Sequence, residues 1–333
     1  MYNVYGAVDG DKPGEVAAGF ILASMGLPSV DTHLVGPRQF ITDIVSHDER
    51  LSLDGIDIID TDGPLPSEIK KRNKLSTSAM GIATIMAKEH GGGFVSCGNT
   101  KAMYKISALY GGVVPGIERP CLAVTLPQRN GGYNFFGDAG GMVDCKPFHL
   151  AQFAQMLDVY AQAWGVANPR VMLLSNGTED DKGDELSLGT FSLLQALKAE
   201  DRINFCGNVE GTGLFNNTAD VTVADGFPGN IGLKSAEGMA YLILGLIRDH
   251  LEQHPWQKIP AYFLRSMFRA VAKQVDSRYN GGGLMLGCAI PFVKGHGSSD
   301  CRAAQSSFEF LVQVMQQEIV EKVTLAFRPQ ILI

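Results

Sequence analysis

The chain of 333 residues lacks the short motifs that mark several large enzyme classes. No G-x-G-x-x-G follows an apolar run, which argues against a dinucleotide-binding turn. The stretch "GNIGLKS" (229–235) has the wrong spacing for a phosphate-binding P-loop. A serine-hydrolase G-x-S-x-G turn, an H-E-x-x-H zinc motif and an EF-hand loop are also missing. These absences disfavour ATPases, dehydrogenases and triad hydrolases, and they predict a protein that needs no metal and no cofactor.

Long apolar runs and an excess of basic charge are missing as well. No stretch of about 18 uncharged apolar residues occurs, so no membrane-spanning helix is expected. The net charge of −7 disfavours a nucleic-acid partner. The first residues contain no basic segment followed by an apolar one, and the six cysteines are scattered without a C-x-x-C pair. Reduced thiols in a cytoplasmic protein are therefore expected.

Short apolar runs alternate with longer amphipathic stretches along the chain. Helical patterns such as "EVAAGFILASM" separate some of the runs, and this alternation predicts a mostly parallel sheet covered by helices. No linker or change of composition marks a boundary, so one α/β domain spanning 1–333 is predicted. The predicted strands are "VYGAV", "THLVG", "IDIID", "GFVSC", "CLAVTL", "VMLLS", "INFC" and "VTVAD".

Glycine and asparagine follow four of these strands. The loops read "GNT", "NGTEDDKG", "GNVEG" and "GFPGN", and ligands of open α/β sheets bind beyond the carboxyl ends of strands. A glycine run at 281–283 and the loop containing Lys294, His296, Ser298 and Ser299 add an anion-binding composition. The sequence thus predicts one crevice where these loops meet around an anion.

Several polar residues near these loops allow two interpretations. Lys182 either faces a ligand or is a solvated loop lysine, and Lys234, one turn into a helix, is by default a surface lysine. Asp225 and Glu210 either orient a ligand or cap the next helix. Cys97 is a candidate nucleophile, although no partner histidine can be assigned to it.

A helical hairpin is predicted from 229 to 277, with a break near His254 and Pro255. Its second helix, 259–278, has an apolar face that includes Phe268 and a basic stripe of Arg265, Arg269 and Lys273. Such a hairpin suits either a dimer interface or peripheral contact with an anionic membrane.

Taken in order, several stretches resemble the PlsX phosphate acyltransferase family. They cover most of the chain and are "SCGNT" (96–100), "PGIERP" (115–120), "VDCKP" (143–147), "NPRVMLLSNGTEDDKG" (168–183), "INFCGNVEG" (203–211), "DGFPGN" with "LKSAEG" (225–238) and "YNGGG" to "VKGHGSSD" (279–300).

The resemblance implies a Rossmann-like three-layer α/β/α fold related to phosphotransacetylases and isocitrate dehydrogenases. It implies transfer of an acyl group from acyl carrier protein to inorganic phosphate, in a homodimer built through the hairpin, at the inner face of the cell membrane. Phosphate is already an anionic nucleophile, so the site needs donors and cations rather than a triad. On that logic the catalytic candidates are Lys182, Asn230, Lys294 and His296. The candidates for substrate and phosphate binding are Ser96, Gly98, Asn99, Thr100, Gly177, Asn208, Gly211, Asp225, Gly229, Lys234, Gly282, Gly297 and Ser298.

Four departures from the family pattern stand at Gly6, Lys101, Met142 and Ser175, positions expected at strand ends or loops near the ligand. They leave two alternatives open: a phosphotransacetylase-like enzyme that uses coenzyme A, or an impaired paralogue that acts as a scaffold for carrier protein or membrane. Carrier protein is acidic, and "IKKRNK" (69–74) and the basic stripe of the hairpin are candidate docking patches for it.

Overall fold

The computed structural model describes residues 1–61, 75–275 and 281–328. Within these ranges the chain forms an eleven-stranded sheet. The candidate docking patch at 69–74 lies outside the described residues. The strands are β1 (Tyr2–Ala7), β2 (Val30–Gly36), β3 (Ile56–Asp60), β4 (Gly93–Ser96), β5 (Cys121–Pro127), β6 (Tyr133–Gly137), β7 (Arg170–Leu174), β8 (Asn204–Val209), β9 (Val221–Val223), β10 (Gly283–Leu286) and β11 (Phe292–Lys294).

The sheet is mostly parallel but reverses direction near its middle. Its order is β3-β2-β1-β4-β11-β10-β5-β6-β9-β7-β8. The pairings β11 with β10, β10 with β5 and β5 with β6 are antiparallel, and the others are parallel. As a result, β6, β9, β7 and β8 run opposite to β3, β2, β1, β4 and β11, and the carboxyl ends of the two groups point to opposite edges.

Eleven α-helices accompany the sheet in the described ranges. Five of them begin at a side chain that accepts a backbone N–H, and Asp184, Asp225 and Asp300 are three of these caps. The helices are α1 (Pro13–Met25), α2 (Arg38–Ser46), α3 (Ala79–His90), α4 (Thr100–Ile106), α5 (Pro147–Ala163), α6 (Glu185–Ala199), α7 (Gly226–Gln253), α8 (Lys258–Phe263), α9 (Arg265–Val275), α10 (Cys301–Gln316) and α11 (Ile319–Ala326).

Two apolar clusters lie on the two faces of the sheet. Val4 of β1 belongs to one cluster and Tyr5 to the other, as the alternation of side chains along a strand requires. The first cluster packs under α1, α5, α6 and α10, and the second under α3 and α4. The fold is therefore the Rossmann-like α/β/α arrangement expected from the sequence.

The predicted hairpin is present over its described part, with two differences. Helix α7 begins at Gly226 rather than at 229, and the second arm is divided at Leu264 into α8 and α9. The break at His254 and Pro255 is confirmed. Residues 276–278 at its end lie outside the described residues. None of the described helices is both long and apolar enough to cross a membrane.

Candidate functional site

A cavity of about 2350 Å³ lies on the sheet face that carries α3 and α4. Helices α7 and α9 form its other side, and the loops after β1, β4 and β11 close one end. That end is polar. The long wall is apolar and includes Leu122, Val124 and Leu126 of β5, Leu244 of α7 and Met267 of α9.

Three cationic or donor side chains meet at the polar end. Lys294 ends β11, His296 follows it by two residues, and Lys234 comes from the third turn of α7. The Lys234 Nζ lies 3.2 Å from His296 Nε2 and 2.6 Å from the Glu237 carboxylate. This arrangement depends on α7. The helix starts after β9, at the opposite edge of the sheet, and extends toward the loop after β11, where Lys234 meets His296.

The contacts of His296 join it to Lys234 and to its own loop. The Lys234 ammonium can only donate, so Nε2 accepts from it, while Nδ1 lies 2.8 Å from Ser298 Oγ and 3.3 Å from the Ser298 backbone nitrogen. Partial burial, together with Lys234 and Lys294, lowers the pKa of His296 from its ordinary value. The imidazole is therefore neutral at physiological pH until an anion offsets the two lysines.

Lys294 is held at the floor of this end. Its Nζ donates to the carbonyl of Gly295 at 2.8 Å. Burial lowers the pKa of Lys294, and Lys234 lowers it further, whereas Asp9 and Glu237 raise it. Two lysines and an imidazole thus lie together at this end, with Glu237 paired to Lys234, and such a group of donors has the composition of a candidate anion site.

The loop after β4 uses most of its donors internally. The Gly98 N–H donates to Ser96 Oγ at 3.0 Å, and the Asn99 Oδ1 accepts from the N–H groups of Lys101 and Ala102 to cap α4. The group that Asn99 offers to a ligand is therefore its amide Nδ2, and Gly98 contributes space rather than a donor.

Close backbone packing fixes the start of α7. A Cβ on Gly229 would lie 2.0 Å from the Asp138 carbonyl oxygen, and one on Gly226 would lie 2.1 Å from that of Met142. The buried Asp138 carboxylate accepts from the N–H groups of Gly140, Gly141 and Met142, and burial raises its pKa to about 6. The glycines of "DGFPGN" thus allow contact with this loop, which places Asn230 against Gly140 at the cavity wall.

The structure brings together ten of the seventeen site residues predicted from the sequence. The residues that line the cavity are Gly98, Asn99, Thr100, Asn230, Lys234, Gly282, Lys294, His296, Gly297 and Ser298. Ser96 and Gly229 lie directly behind this lining. The Ser96 Oγ accepts from the Gly98 N–H, and Gly229 packs against the Asp138 backbone.

The loops after β7 and β8 do not reach the cavity. Lys182 is exposed on the 176–183 loop, beside Gly177, and the Asn208 Nδ2 holds that loop by donating to the Glu179 carbonyl at 2.7 Å. Gly211 is exposed, and Asp225 caps α7 and lines a separate cavity of about 180 Å³. The expectation of one crevice for all four loops is therefore wrong, because β7, β8 and β9 point away from the carboxyl ends of β4 and β11.

The glycine run acts mainly through packing of the protein on itself. Gly281 and Gly282 have φ of +74° and +93°, and a Cβ on Gly282 would lie 2.2 Å from the Lys294 carbonyl oxygen. The tight approach of this segment to β11 fixes the position of Lys294. The glycines therefore shape the site by letting β10 and β11 come close.

Of the four departures from the family pattern, fewer lie at the cavity than the sequence predicted. Gly6 lies inside β1, where a Cβ would meet the Phe20 ring at 2.7 Å. Met142 is buried, and Ser175 bonds to β8 through its N–H. Lys101 is the one of the four that lines the cavity.

Sequence reasoning missed the buried acids Asp9 and Asp138. Each directly follows an apolar run at the end of a strand, a signal visible in "GAVD" and "FFGD". Glu237, which pairs with Lys234, was also missed because a helical glutamate near a lysine is usually a surface pair. In the described part of the chain no group of three His, Cys, Asp or Glu side chains is arranged to hold a metal ion.

The chain is similar over nearly its whole length to proteins named phosphate acyltransferase. It is 36% identical over 301 residues to the one from Geobacillus thermodenitrificans (strain NG80-2), covering 89% of this chain and 90% of that one. It is 35% identical over 318 residues to the one from Bacillus subtilis (strain 168), with 94% of each covered.

Solved structures share the fold at low sequence identity. A phosphotransacetylase from Streptococcus pyogenes superposes with a TM-score of 0.61 at 13% identity, covering 95% of this chain and 94% of that one. The EutD phosphotransacetylase from Staphylococcus aureus gives 0.59 at 13%, with 94% of each chain covered. A family model described as "Fatty acid synthesis protein" matches residues 7–322. The chain therefore belongs to the PlsX family of phosphate acyltransferases and is an acyltransferase that acts with phosphate.

Proposed function

We propose that the chain transfers the acyl group of acyl-[acyl carrier protein] to inorganic phosphate, giving acyl phosphate and free carrier protein for phospholipid biosynthesis. The observation that carries this proposal is the composition of one cavity. Lys234, Lys294 and His296 lie at one end, and an apolar wall extends away from them along β5, α7 and α9. An anion and an acyl chain fit opposite ends of such a space.

The reaction needs alignment more than it needs a protein nucleophile. A phosphate oxygen attacks the thioester carbon, the C–O bond forms, and the C–S bond breaks as the thiolate leaves. A thiol pKa of about 8.5 makes that thiolate an adequate leaving group. The protein then has to hold phosphate beside the carbonyl and stabilise the charge on its oxygen.

The residues at the polar end suit these tasks. Lys234 and Lys294 bind the phosphate by charge, and the His296 Nε2 becomes a donor once a phosphate dianion favours the imidazolium. The amides of Asn99 and Asn230 supply neutral donors at the cavity wall. All of these groups are cations or amides, which matches a polyanionic nucleophile.

A covalent mechanism through Cys97 is disfavoured. Its side chain is fully buried, and burial raises the pKa of the Cys97 thiol to about 12, with the Asp9 carboxylate raising it further. A thiol in that state is inert as a nucleophile at neutral pH.

We further propose that the hairpin of α7, α8 and α9 carries the homodimer contact and touches the membrane. Leu242 and Leu246 of α7 are each more than half exposed and lie outside the cavity lining, which is unusual for an unpartnered helix. Trp256, Ile259 and Phe263, between 68% and 79% exposed, form an apolar tip, with Lys258 and Arg265 beside them. Phe268 lines the cavity instead, so membrane contact is assigned to the tip. The protein would act in the cytoplasm, peripheral to the inner face of the membrane.

Two other functions remain as outcomes of the test. A coenzyme A enzyme would use acyl-CoA in place of the carrier thioester, and a scaffold would bind carrier protein or membrane without turnover. The fold shared with phosphotransacetylases is compatible with the first.

The test offers palmitoyl carrier protein and palmitoyl-CoA to the protein, each with and without inorganic phosphate. Released thiol is quantified, and acyl phosphate is trapped with hydroxylamine. Phosphate-dependent release from the carrier thioester, faster than from the CoA thioester, is the expected result. Preference for the CoA thioester, or no release by the folded protein, would refute the proposal.

A further inference from the structure

One stretch of the cavity wall is both basic and open to solvent. Lys101 and Lys105 of α4 line the cavity, and both side chains are exposed. They are four positions apart, so they lie on the same face of the helix. Ala108 and Leu109, in the turn of π-helix that follows α4, continue this side of the cavity with exposed apolar groups. These four residues are called the α4 rim below.

The two lysines of the rim have no ion pair among the described residues, whereas Lys234 at the polar end pairs with Glu237. The sequence from Thr100 to Gly111 contains no Asp or Glu. The acidic residues that line the cavity, Asp11, Glu237 and Asp300, come from the loops at the polar end and from α7. The rim therefore presents positive charge to solvent beside exposed apolar groups.

The basic stripe of the hairpin does not share this position. Met267 and Val271 of α9 line the cavity, and Arg265, Arg269 and Lys273 do not. At 3.6 residues per turn, the two sets fall on opposite faces of α9. A partner held on the stripe would therefore be turned away from the cavity, which disfavours the stripe as the docking patch for an acyl donor.

An acyl group carried by a protein needs a docking surface at the edge of the cavity. A folded carrier domain is much larger than a space of about 2350 Å³, so it has to stay outside while its thiol-bearing arm takes the thioester inward. The thioester has to reach Lys294 and His296 at the polar end. Helix α4 begins at that end, where Asn99 both caps the helix and lines the cavity. An arm that enters over the rim can lie along α4 and reach the polar end.

We propose that the α4 rim is the docking surface for the acidic carrier protein that donates the acyl group. Lys101 and Lys105 pair with carboxylates of the carrier, and Leu109 contacts an apolar side chain beside them. This inference rests on the proposed function, since only a carrier thioester needs a protein docking surface. Lys101 is also one of the four departures from the family pattern, so this contact is a property of the present chain.

The test measures binding of the carrier itself, without phosphate and without turnover. Carrier protein bearing its free thiol arm is immobilised, and association and dissociation rates are recorded by surface plasmon resonance. Lys101→Glu/Lys105→Glu should slow association at low salt by at least about tenfold and change dissociation little, because charges at a rim act mainly on encounter. The difference should shrink at about 1 M salt, where charges are screened within roughly 3 Å.

Arg265→Glu/Arg269→Glu is the matched control, because it makes the same change of charge on the stripe of the hairpin. It should bind the carrier as the wild type does. Equal association rates for the rim variant and the wild type would overturn the proposal. A loss confined to the stripe variant would also overturn it and would place the carrier on the hairpin.

Turnover with two donors separates docking from damage to the site. S-palmitoylpantetheine is an uncharged thioester without a carrier, and the rim variant should use it, with phosphate, as the wild type does. Its kcat/KM for palmitoyl carrier protein should fall by about tenfold. Equal loss with both donors would show a damaged site and contradict the proposal.

The same measurements distinguish failure of this inference from failure of the proposed function. If the wild type binds the carrier but turns over neither donor, the proposed function fails, and the association rates still decide the docking surface. If the rim variant binds and turns over palmitoyl carrier protein as the wild type does, the docking surface is wrong and the proposed function stands. A wild type that does not bind the carrier contradicts both.

Discussion

The charge states of the titratable side chains at the cavity depend on how deeply each side chain is buried, and not only on its residue type. His296 and Lys294 have lowered pKa values because they are partly removed from water beside another cation. Asp9 and Asp138 have raised ones because they are fully buried. A sequence names these residues but not their charge states, because burial depends on chain segments far away in sequence.

The histidine of the site should respond to phosphate. A bound dianion offsets Lys234 and Lys294, so the pKa of His296 should rise when phosphate is added. NMR titration of the imidazole signals with and without saturating phosphate measures this, with His90 as an internal reference outside the cavity. An unchanged pKa of His296 would mean that phosphate binds elsewhere.

The buried acid Asp158 should make stability depend on pH. Its folded pKa of about 6 exceeds the unfolded value of 3.8, so the folded state holds the proton more tightly. Stability is therefore lost as pH rises from about 4 to 6. Asp158→Asn should gain about 1 to 3 kcal/mol relative to the wild type across that window, measured by denaturant unfolding. An equal difference at pH 4 and pH 7 would contradict the assignment.

At the scale of elements, the glycine segment before β10 positions Lys294 by close contact. Gly282→Ala should destabilise the protein by more than about 2 kcal/mol, because its Cβ would overlap the Lys294 carbonyl oxygen. Gly165→Ala is the control, since Gly165 has a similar φ of +94° and open space around its Cβ. Equal unfolding midpoints for the two variants would show that backbone conformation alone matters.

The hairpin tip is the element proposed to touch lipid. Phe263→Asp should reduce binding to vesicles containing anionic lipid by about thirtyfold, since roughly 2 kcal/mol of apolar transfer is lost. Leu325→Asp, on an exposed side chain of α11 away from the hairpin, should bind as the wild type does. Co-sedimentation measures both, and equal binding by the two variants would exclude the tip as the contact.

The elements themselves were largely predictable from the sequence. All eight predicted strands are present, because a strand buried on both faces reads as a continuous apolar run. Strands β6, β10 and β11 were missed. The two that flank the site are only four and three residues long and lie among glycines.

At the scale of the whole molecule, the direction of the strands decides which loops form the site. Reversal at β10 and β5 sends the loops after β7 and β8 to the edge away from Lys294 and His296. Pairing direction is a property of the assembled sheet, and no single run of residues encodes it. The sequence therefore indicated the chemistry of the loops correctly but not which of them share a cavity.

The most direct test compares Lys294 with Lys182, because the sequence did not show which of the two lysines binds phosphate. Lys294→Met and Lys182→Met each remove one ammonium and keep most of the aliphatic chain. In the assay of carrier release, Lys294→Met should raise the KM for phosphate about tenfold to hundredfold, as expected for loss of a charged contact. Lys182→Met should leave it unchanged, because Lys182 lies outside the cavity. A large effect of Lys182→Met with none from Lys294→Met would place the phosphate at the other edge of the sheet and contradict the account.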